Sequence, residues 1–295
     1  MKEAFNRLPG PLRGAIWMLG AATFFATHGP LVRMAATDLD PLAIAFFRSL
    51  ILFIVVLPWL MRDRGAVLRT KRPGAQVLRA IFSMSGLVFL ILAQANLPLA
   101  EVAALTFAQP LFATVGAALI LREIVRARRW IATLVGLLGV WIILRPGFEI
   151  VDPLFLLPIA SAALVAASNL MIKSLSAEDA PNTVVAWLIV LSVPVTLVPA
   201  LFAWSLPGPQ TLIWLALLAG AGLIAHQCLV RSFAAADASA VLPYDYMRLV
   251  VTATLAFLAF GEVPTIWTWV GGAVIVGAVV YIARREAAAA RDGEN

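Results

Sequence analysis

At 295 residues, 62% hydrophobic and only 13% charged, the chain lacks the polar surface of a water-soluble protein, since soluble domains carry about a quarter charged residues. The net charge of +6 would suit a polyanion, but the basic residues lie in short joints beside hydrophobic stretches without interleaved aromatics, so no nucleic-acid partner is expected. The lone Cys228 excludes an internal disulfide and a cysteine-built metal cage.

A helix that crosses a bilayer needs about 20 predominantly apolar residues. Ten stretches qualify, near 13–35, 41–61, 75–96, 99–121, 128–146, 153–175, 182–204, 210–234, 238–260 and 265–284. Strands are disfavoured, because a membrane barrel needs alternating segments of about ten residues and none is sustained here. The first stretch is full span length, contains Arg33 and lacks a small-residue cleavage site, so it reads as a span and not as a cleavable signal. Lys and Arg are enriched in short cytoplasmic loops. Placing the N-terminus inside puts 18 of the 22 basic residues on that side, leaves Arg33 and Arg145 at outer ends, and leaves Arg48 and Arg248 within spans. The run from Arg62 to Arg72 then reads as an anchor on anionic headgroups of the lipid bilayer.

The chain is also written twice. His28-Gly29-Pro30-Leu31-Val32-Arg33 through Asp38 and Pro41 returns 140 residues later as Ser168-Asn169-Leu170-Met171-Ile172-Lys173 through Glu178 and Pro181, and Glu123 and Trp130 return as Glu262 and Trp269 at a spacing of 139. Each copy holds five spans, and an odd number makes the second copy enter from the opposite face. The expected fold is an all-α membrane protein of ten transmembrane helices in a 5+5 inverted repeat, N-in and C-in. Residues 1–147 form the first repeat, 148–286 the second and 287–295 a short cytoplasmic tail.

No P-loop, G-x-S-x-G, H-E-x-x-H or dinucleotide fingerprint occurs. No enzyme chemistry, cofactor or metal is therefore expected, and work against a gradient would be coupled to a proton, an ion or an exchanged substrate. Polar groups at membrane depth are the functional candidates. In the ninth stretch, Pro243-Tyr244-Asp245-Tyr246-Met247-Arg248 puts Arg248 roughly 15 Å deep, at about 1.5 Å per residue. Asp245 and Arg248 share a helix face, either as a self-neutralising pair that holds the helix or as a separable pair that meets substrate. Tyr244 and Tyr246 lie on opposite faces, so at most one of them joins Arg248 in one pocket. Pro243 removes a backbone donor in this turn. Repeat arithmetic sets Phe107 opposite Tyr246 and Gln109 opposite Arg248. Gln109 and Phe107 are accordingly expected to hydrogen-bond and stack on a substrate, or else to pack beside a kink at Pro110.

Trp17, His28, Gln94, Asn169 and His226 are weaker candidates, each histidine fitting a satisfied interhelical bond better than a proton relay. Arg48 reads as snorkelling outward or pairing with a neighbour, with a direct substrate role as the lesser alternative. Glu123 and Glu262 close helices and fit an end cap or a gate-like contact. Ala132/Gly136 and Ala273/Gly277 offer small faces for bundle packing or for a homodimer.

Taken together, the duplication, Phe46-Phe47-Arg48, Leu97-Pro98-Leu99-Ala100, the closing Glu123 and Glu262, and Pro243-Tyr244-Asp245-Tyr246 resemble the EamA-type drug/metabolite transporter superfamily, from about residue 12 to 284. The resemblance implies a basket of helices around a central cavity lined by spans one, three, four, six, eight and nine, worked by alternating access. It also implies a site at the turns around Phe107/Gln109 and Tyr246/Arg248. Members carry amino acids, aromatic metabolites, riboflavin, S-adenosylmethionine or nucleotide sugars; Ala45 to Arg48 and Tyr244 to Leu249 most resemble the S-adenosylmethionine and riboflavin types. The expected function is secondary transport of a small organic metabolite across a bacterial-type inner membrane. The expected cargo has an anionic group beside an apolar or aromatic part. A passive channel for small solutes is the alternative.

Overall fold

Long apolar stretches without alternation have one way to satisfy their backbone in lipid, which is to bond internally as helices. The computed structural model describes residues 10–62, 66–119, 127–144, 152–175, 178–235, 244–245 and 247–293, and the regular elements among them are helical. In chain order they are α1 (Gly10–Ala26), α2 (His28–Ala35), α3 (Pro41–Arg62), α4 (Pro73–Asn96), α5 (Leu99–Thr106), α6 (Gln109–Leu119), α7 (Ala127–Leu144), α8 (Leu156–Leu175), α9 (Pro181–Ala200), α10 (Pro209–Ala235), α11 (Met247–Phe260) and α12 (Ile266–Gly293). Six segments of the described residues are long and apolar enough to cross a membrane: Leu12–Ala35, Pro41–Arg62, Pro73–Asn96, Pro153–Ile172, Asn182–Ala203 and Pro209–Leu229. Four shorter apolar helices, Leu99–Ala113, Leu134–Ile143, Met247–Phe260 and Ile266–Ala278, fall on the fourth, fifth, ninth and tenth stretches. The chain is an all-α membrane protein.

Two spans are broken, and the same residue type breaks both. Pro30 has no N–H to give the carbonyl of Ala26, and α1 ends at Ala26; Pro110 has none for Thr106, and α5 ends at Thr106. The kink expected at Pro110 thus appears one turn earlier, at Phe107–Ala108, because proline disrupts the turn that precedes it. Pro110 itself sits at the second position of α6, where a missing N–H costs nothing. At the C-terminus α12 runs on to Gly293, through the alanines 287–290, whose helix propensity is the highest of any residue.

Packing pairs a span of one half with a span of the other. α4 lies along α8 and α10 along α1, which exchange under the repeat, while α3 lies on α9 and α7 on α12, which map onto themselves. The α7–α12 contact is close enough to need glycine. A Cβ on Gly271 would meet the Gly139 carbonyl and Ile143 Cγ1 at 2.5 Å, and one on Gly139 would meet the Gly271 carbonyl at 2.7 Å. Of the small faces expected at Ala132/Gly136 and Ala273/Gly277, Gly136 packs closely within the bundle, a Cβ there standing 2.5 Å from Leu111 Cδ1, while no atom of the described residues comes within 4 Å of a Cβ on Gly277. Overpacking costs about 1–3 kcal/mol, so Gly271→Val should lower the thermal midpoint of the detergent-purified protein by several degrees, and Gly277→Ala should not. Equal midpoints would contradict the close contact.

Acidic joints tie each half to the other. Asp38, between α2 and α3, accepts from Thr211 Oγ1 at 3.5 Å in the first turn of α10. Asp179, between α8 and α9, accepts from Thr70 Oγ1 at 2.5 Å and from Gln76 Nε2 at 2.8 Å near the start of α4. The hydroxyl of Thr70, aided by Gln76, holds the Asp179 carboxyl below the usual range. Arg79, expected at the cytoplasmic side, is buried and donates to the Val184 carbonyl at 2.8 Å.

Candidate functional site

The two proline breaks put His28 at the start of α2 and Phe107 and Gln109 around the start of α6, so irregular backbone lies where the sequence places its candidates. The two turns related by the repeat meet. The Arg248 guanidinium sits over the Phe107 ring, 4.8 Å from its centroid, a cation–π contact worth about 0.5–2 kcal/mol. Arg248 Nη2 also pairs with Asp245 Oδ2 at 3.5 Å, both side chains being about a quarter exposed. A buried Nε on Arg248 has no partner among the described residues. The pair is therefore long and incompletely satisfied, which leaves donor capacity at the ring face of Phe107.

A second cluster joins α2, α3 and α10. His28 and Arg48 are each only 7% exposed, and His28 Nε2 and Arg48 Nε have no hydrogen-bond partner among the described residues. Both converge on Gly222 of α10, where a Cβ would stand 2.8 Å from Arg48 Nη2 and 3.1 Å from His28 Nε2. One turn further, His226 Nδ1 donates to the Gly222 carbonyl at 2.9 Å. Phe25 lies edge-on to both imidazoles, at 6.0 Å from His28 and 5.2 Å from His226. His28 is within electrostatic reach of Arg48, His226 and Arg248, so the two clusters share one neighbourhood. Arg48 does not snorkel and has no ion-pair partner among the described residues: it lies seven residues into α3, buried with Ala45 and Ser49. The cost of a lone cation at the centre of a bilayer is about 2.5–3.5 kcal/mol on insertion scales.

Helical geometry shows that this neighbourhood opens to space within the bundle. At 100° per residue His226 falls between Ala219 and Gly222, on the buried face of α10, yet its side chain is exposed. Asn169 does the same on α8, lying between the buried positions Pro158 and Ala162 while itself exposed. Exposure on an inward face is exposure to an interior chamber. Tyr244 is exposed, and Gln109 and Gln94 are half-buried; Gln94 Oε1 is buried without a partner. Trp17 is placed differently, under the Arg231 guanidinium at 5.0 Å on the α1–α10 seam, and serves that packing. Tyr246, Pro243 and Glu123 lie outside the described residues.

A cleft of about 510 Å³ opens between α1–α2, α10 and α11, lined by Phe24, Pro30, Met34, Gly220, Ile224 and Leu255 among others. Its lining is almost wholly apolar and holds none of the candidate residues, so it has no groups with which to orient a polar solute.

At one end of the chamber a network ties four helices. Gly261, at φ +69°, ends α11 in the left-handed conformation and gives its N–H to the Phe257 carbonyl at 2.9 Å, which turns the next residue inward. That residue, Glu262, forms an ion pair with Arg33 of α2 and accepts the Leu99 N–H at 2.9 Å, capping α5. Arg33 in turn donates to the carbonyls of Gln94, at 3.3 Å, and of Leu97, and lies 5.3 Å from the Phe260 ring centroid. A carboxylate at a helix N-terminus and a cation at the end of α4 both complement the helix dipoles. The end-cap and gate-like contacts expected of Glu262 meet here in one carboxylate.

Sequence reasoning gave Arg48 a substrate role only as the lesser alternative, and missed Gly222 altogether. A signal existed for the first, since Arg48 and Arg248 are the two basic residues left within spans; contact with Gly222 depends on how α3 meets α10, which no local pattern states.

The comparisons agree with this architecture. The model of the EamA-like transporter family matches twice, over residues 12–145 and 153–284. A riboflavin transporter of Vibrio cholerae is 37% identical over 97% of this chain and 97% of that protein. A riboflavin transporter of Rhizobium johnstonii is 34% identical over 92% and 91%, and an S-adenosylmethionine uptake transporter of Rickettsia prowazekii is 28% identical over 92% of each. A solved crystal structure at 20% identity superposes with a TM-score of 0.62 over 92% of this chain and 98% of that one, which supports the fold alone. With both halves matched by one model and the whole length aligned to carriers, the chain belongs to the EamA-like transporter family and is a small-metabolite transporter, not an enzyme.

Proposed function

We propose that this protein carries a neutral or anionic planar heteroaromatic metabolite of the flavin class across a bacterial inner membrane by alternating access. In this reading two inverted repeats, residues 1–147 and 148–286, rock about a shared site, and residues 287–295 are a cytoplasmic tail. The observation that carries it is the Arg248 guanidinium over the Phe107 ring, beside Asp245, at membrane depth. A three-ring isoalloxazine presents a π face for Phe107 and a row of carbonyl and ring-nitrogen acceptors for Arg248 and Gln109. Its polyol chain suits Asn169, His226 and the Tyr244 hydroxyl, and His28, Gln94 and Tyr246 complete the proposed lining. The names of the Vibrio and Rhizobium relatives support this cargo.

The Rickettsia relative suggests S-adenosylmethionine instead. That cargo carries a sulfonium cation, and a neighbourhood holding Arg48, Arg248 and two imidazoles against one carboxylate, Asp245, opposes it by like charge. A thermal-shift screen with riboflavin, S-adenosylmethionine, amino acids and nucleosides separates the readings, because a ligand that binds the native state raises its midpoint. Riboflavin should stabilise the protein and S-adenosylmethionine should not; the reverse pattern would overturn the assignment.

A further inference from the structure

We propose that Arg48, His28 and Gly222 form an anion subsite, reached from the chamber past His226, that takes one oxyanion, a carboxylate or phosphate, during transport. The proposal rests on the transport reading for its place in the cycle but not for its chemistry. Arg48 is a permanently charged group, 7% exposed, deep in the bundle, with no hydrogen bond or ion pair to any described residue, and its Nε is an orphan donor. Nε and Nη2 are the two guanidinium donors that grip a pair of oxygens side-on. Nη2 and the unpartnered Nε2 of His28 both face the Gly222 α-carbon, within 3.1 Å of where a side chain there would begin. Glycine at 222 lets both donors lie directly against the α10 backbone, where any side chain would push the Arg48 tip away.

The charges nearest the cluster are mainly positive. Arg248 acts on His28 and Arg79 on His226, and the nearby acid, Asp245, is engaged by Arg248 at 3.5 Å. No carboxylate of the described residues bonds Arg48, which leaves its charge available to a bound species. His226 fixes the approach. Its Nδ1 is committed to the Gly222 carbonyl, while the ring is exposed to the chamber and leaves Nε2 to the incoming solute. Two sources share the required chemistry: an anionic group on the cargo itself, or a small free oxyanion that binds with a neutral cargo.

The test uses the full chain in lipid nanodiscs, with inorganic phosphate and acetate titrated at constant ionic strength against chloride. Phosphate or acetate should raise the thermal midpoint by roughly 3 °C or more over chloride, and Arg48→Gln should lose that shift. If Arg48→Gln does not fold, Gly222→Ala decides, because alanine is a better helix former than glycine and displaces only the tip of a flexible arginine. It too should lose the shift, and His226→Gln should weaken it. In proteoliposomes, a phosphate ester of riboflavin competing at least 10-fold better than riboflavin, with that advantage lost in Arg48→Gln, would place the anion on the cargo. Free phosphate accelerating riboflavin exchange would make it a separate ion. An oxyanion shift absent from the wild type, or equal in the wild type and Gly222→Ala, would overturn the subsite. Riboflavin exchange without any oxyanion shift would sink the subsite and leave the transport reading standing; an Arg48-dependent shift without flavin transport would do the opposite.

Discussion

Changing Arg248 to glutamine is expected to reduce transport about 100-fold or more while the protein still purifies as a folded, monodisperse species. Truncating one partner of a buried charged pair typically costs about 2–5 kcal/mol, and each 1.4 kcal/mol is about tenfold in rate or affinity. Arg248 makes two contacts that the cargo would share, the Asp245 carboxylate at 3.5 Å and the Phe107 ring face at 4.8 Å. Removing it also leaves Asp245 without this partner, which should lower the thermal midpoint of the single variant. The informative variant is therefore the double change Asp245→Asn with Arg248→Gln. It should recover the thermal midpoint of the wild type and still fail to transport. If the double variant transports normally, the pair is a structural brace and the site lies elsewhere.

The second large effect is expected at Glu262. One carboxylate holds Arg33 of α2 and the first N–H of α5, and Arg33 holds the carbonyl end of α4. Glu262→Gln keeps the shape and removes the charge, so α2, α4, α5 and the end of α11 lose their common anchor. If this network closes one end of the chamber in the transport cycle, exchange should fall roughly tenfold, about 1.4 kcal/mol. Hydrogen exchange at the Leu99 amide and in the last turn of α11 should quicken, with the global midpoint little changed. A merely structural role would move the midpoint and leave the rate of the folded fraction intact. Unchanged amide exchange together with normal transport would remove the network from the mechanism.

Much of the scaffold was legible in the sequence because its signals are long or repeated. Hydrophobic runs of span length announce helices wherever the backbone must bond to itself, and Pro110 marks a break through a missing donor, whereas the first span was expected unbroken over 13–35 and Pro30 divides it in the same way. Glu262 was legible as a closing residue, but its partner Arg33 lies in the other half of the chain, and only the assembled bundle brings the two together. The same holds for Gly271, whose small size is read through a crossing helix and not through the heptad-like pattern of its own, which pointed to Gly277. Within the candidate site, Phe107 and Arg248 were legible by laying one repeat on the other. Arg48 was legible only as a lesser alternative, because a buried arginine with no partner among the described residues departs from the rule that such side chains snorkel or pair, and the exception is visible only once its surroundings are known. Sites are where sequence rules fail for a reason.

The most direct test of the central claim is counterflow. Proteoliposomes loaded with unlabelled riboflavin are diluted into a trace of labelled riboflavin, with and without an imposed pH gradient. A carrier that alternates access to one site should accumulate label transiently above its equilibrium level and then release it, and Arg248→Gln should abolish the overshoot. Label that merely equilibrates, without an overshoot and without dependence on the internal load, would contradict alternating access and support a passive channel.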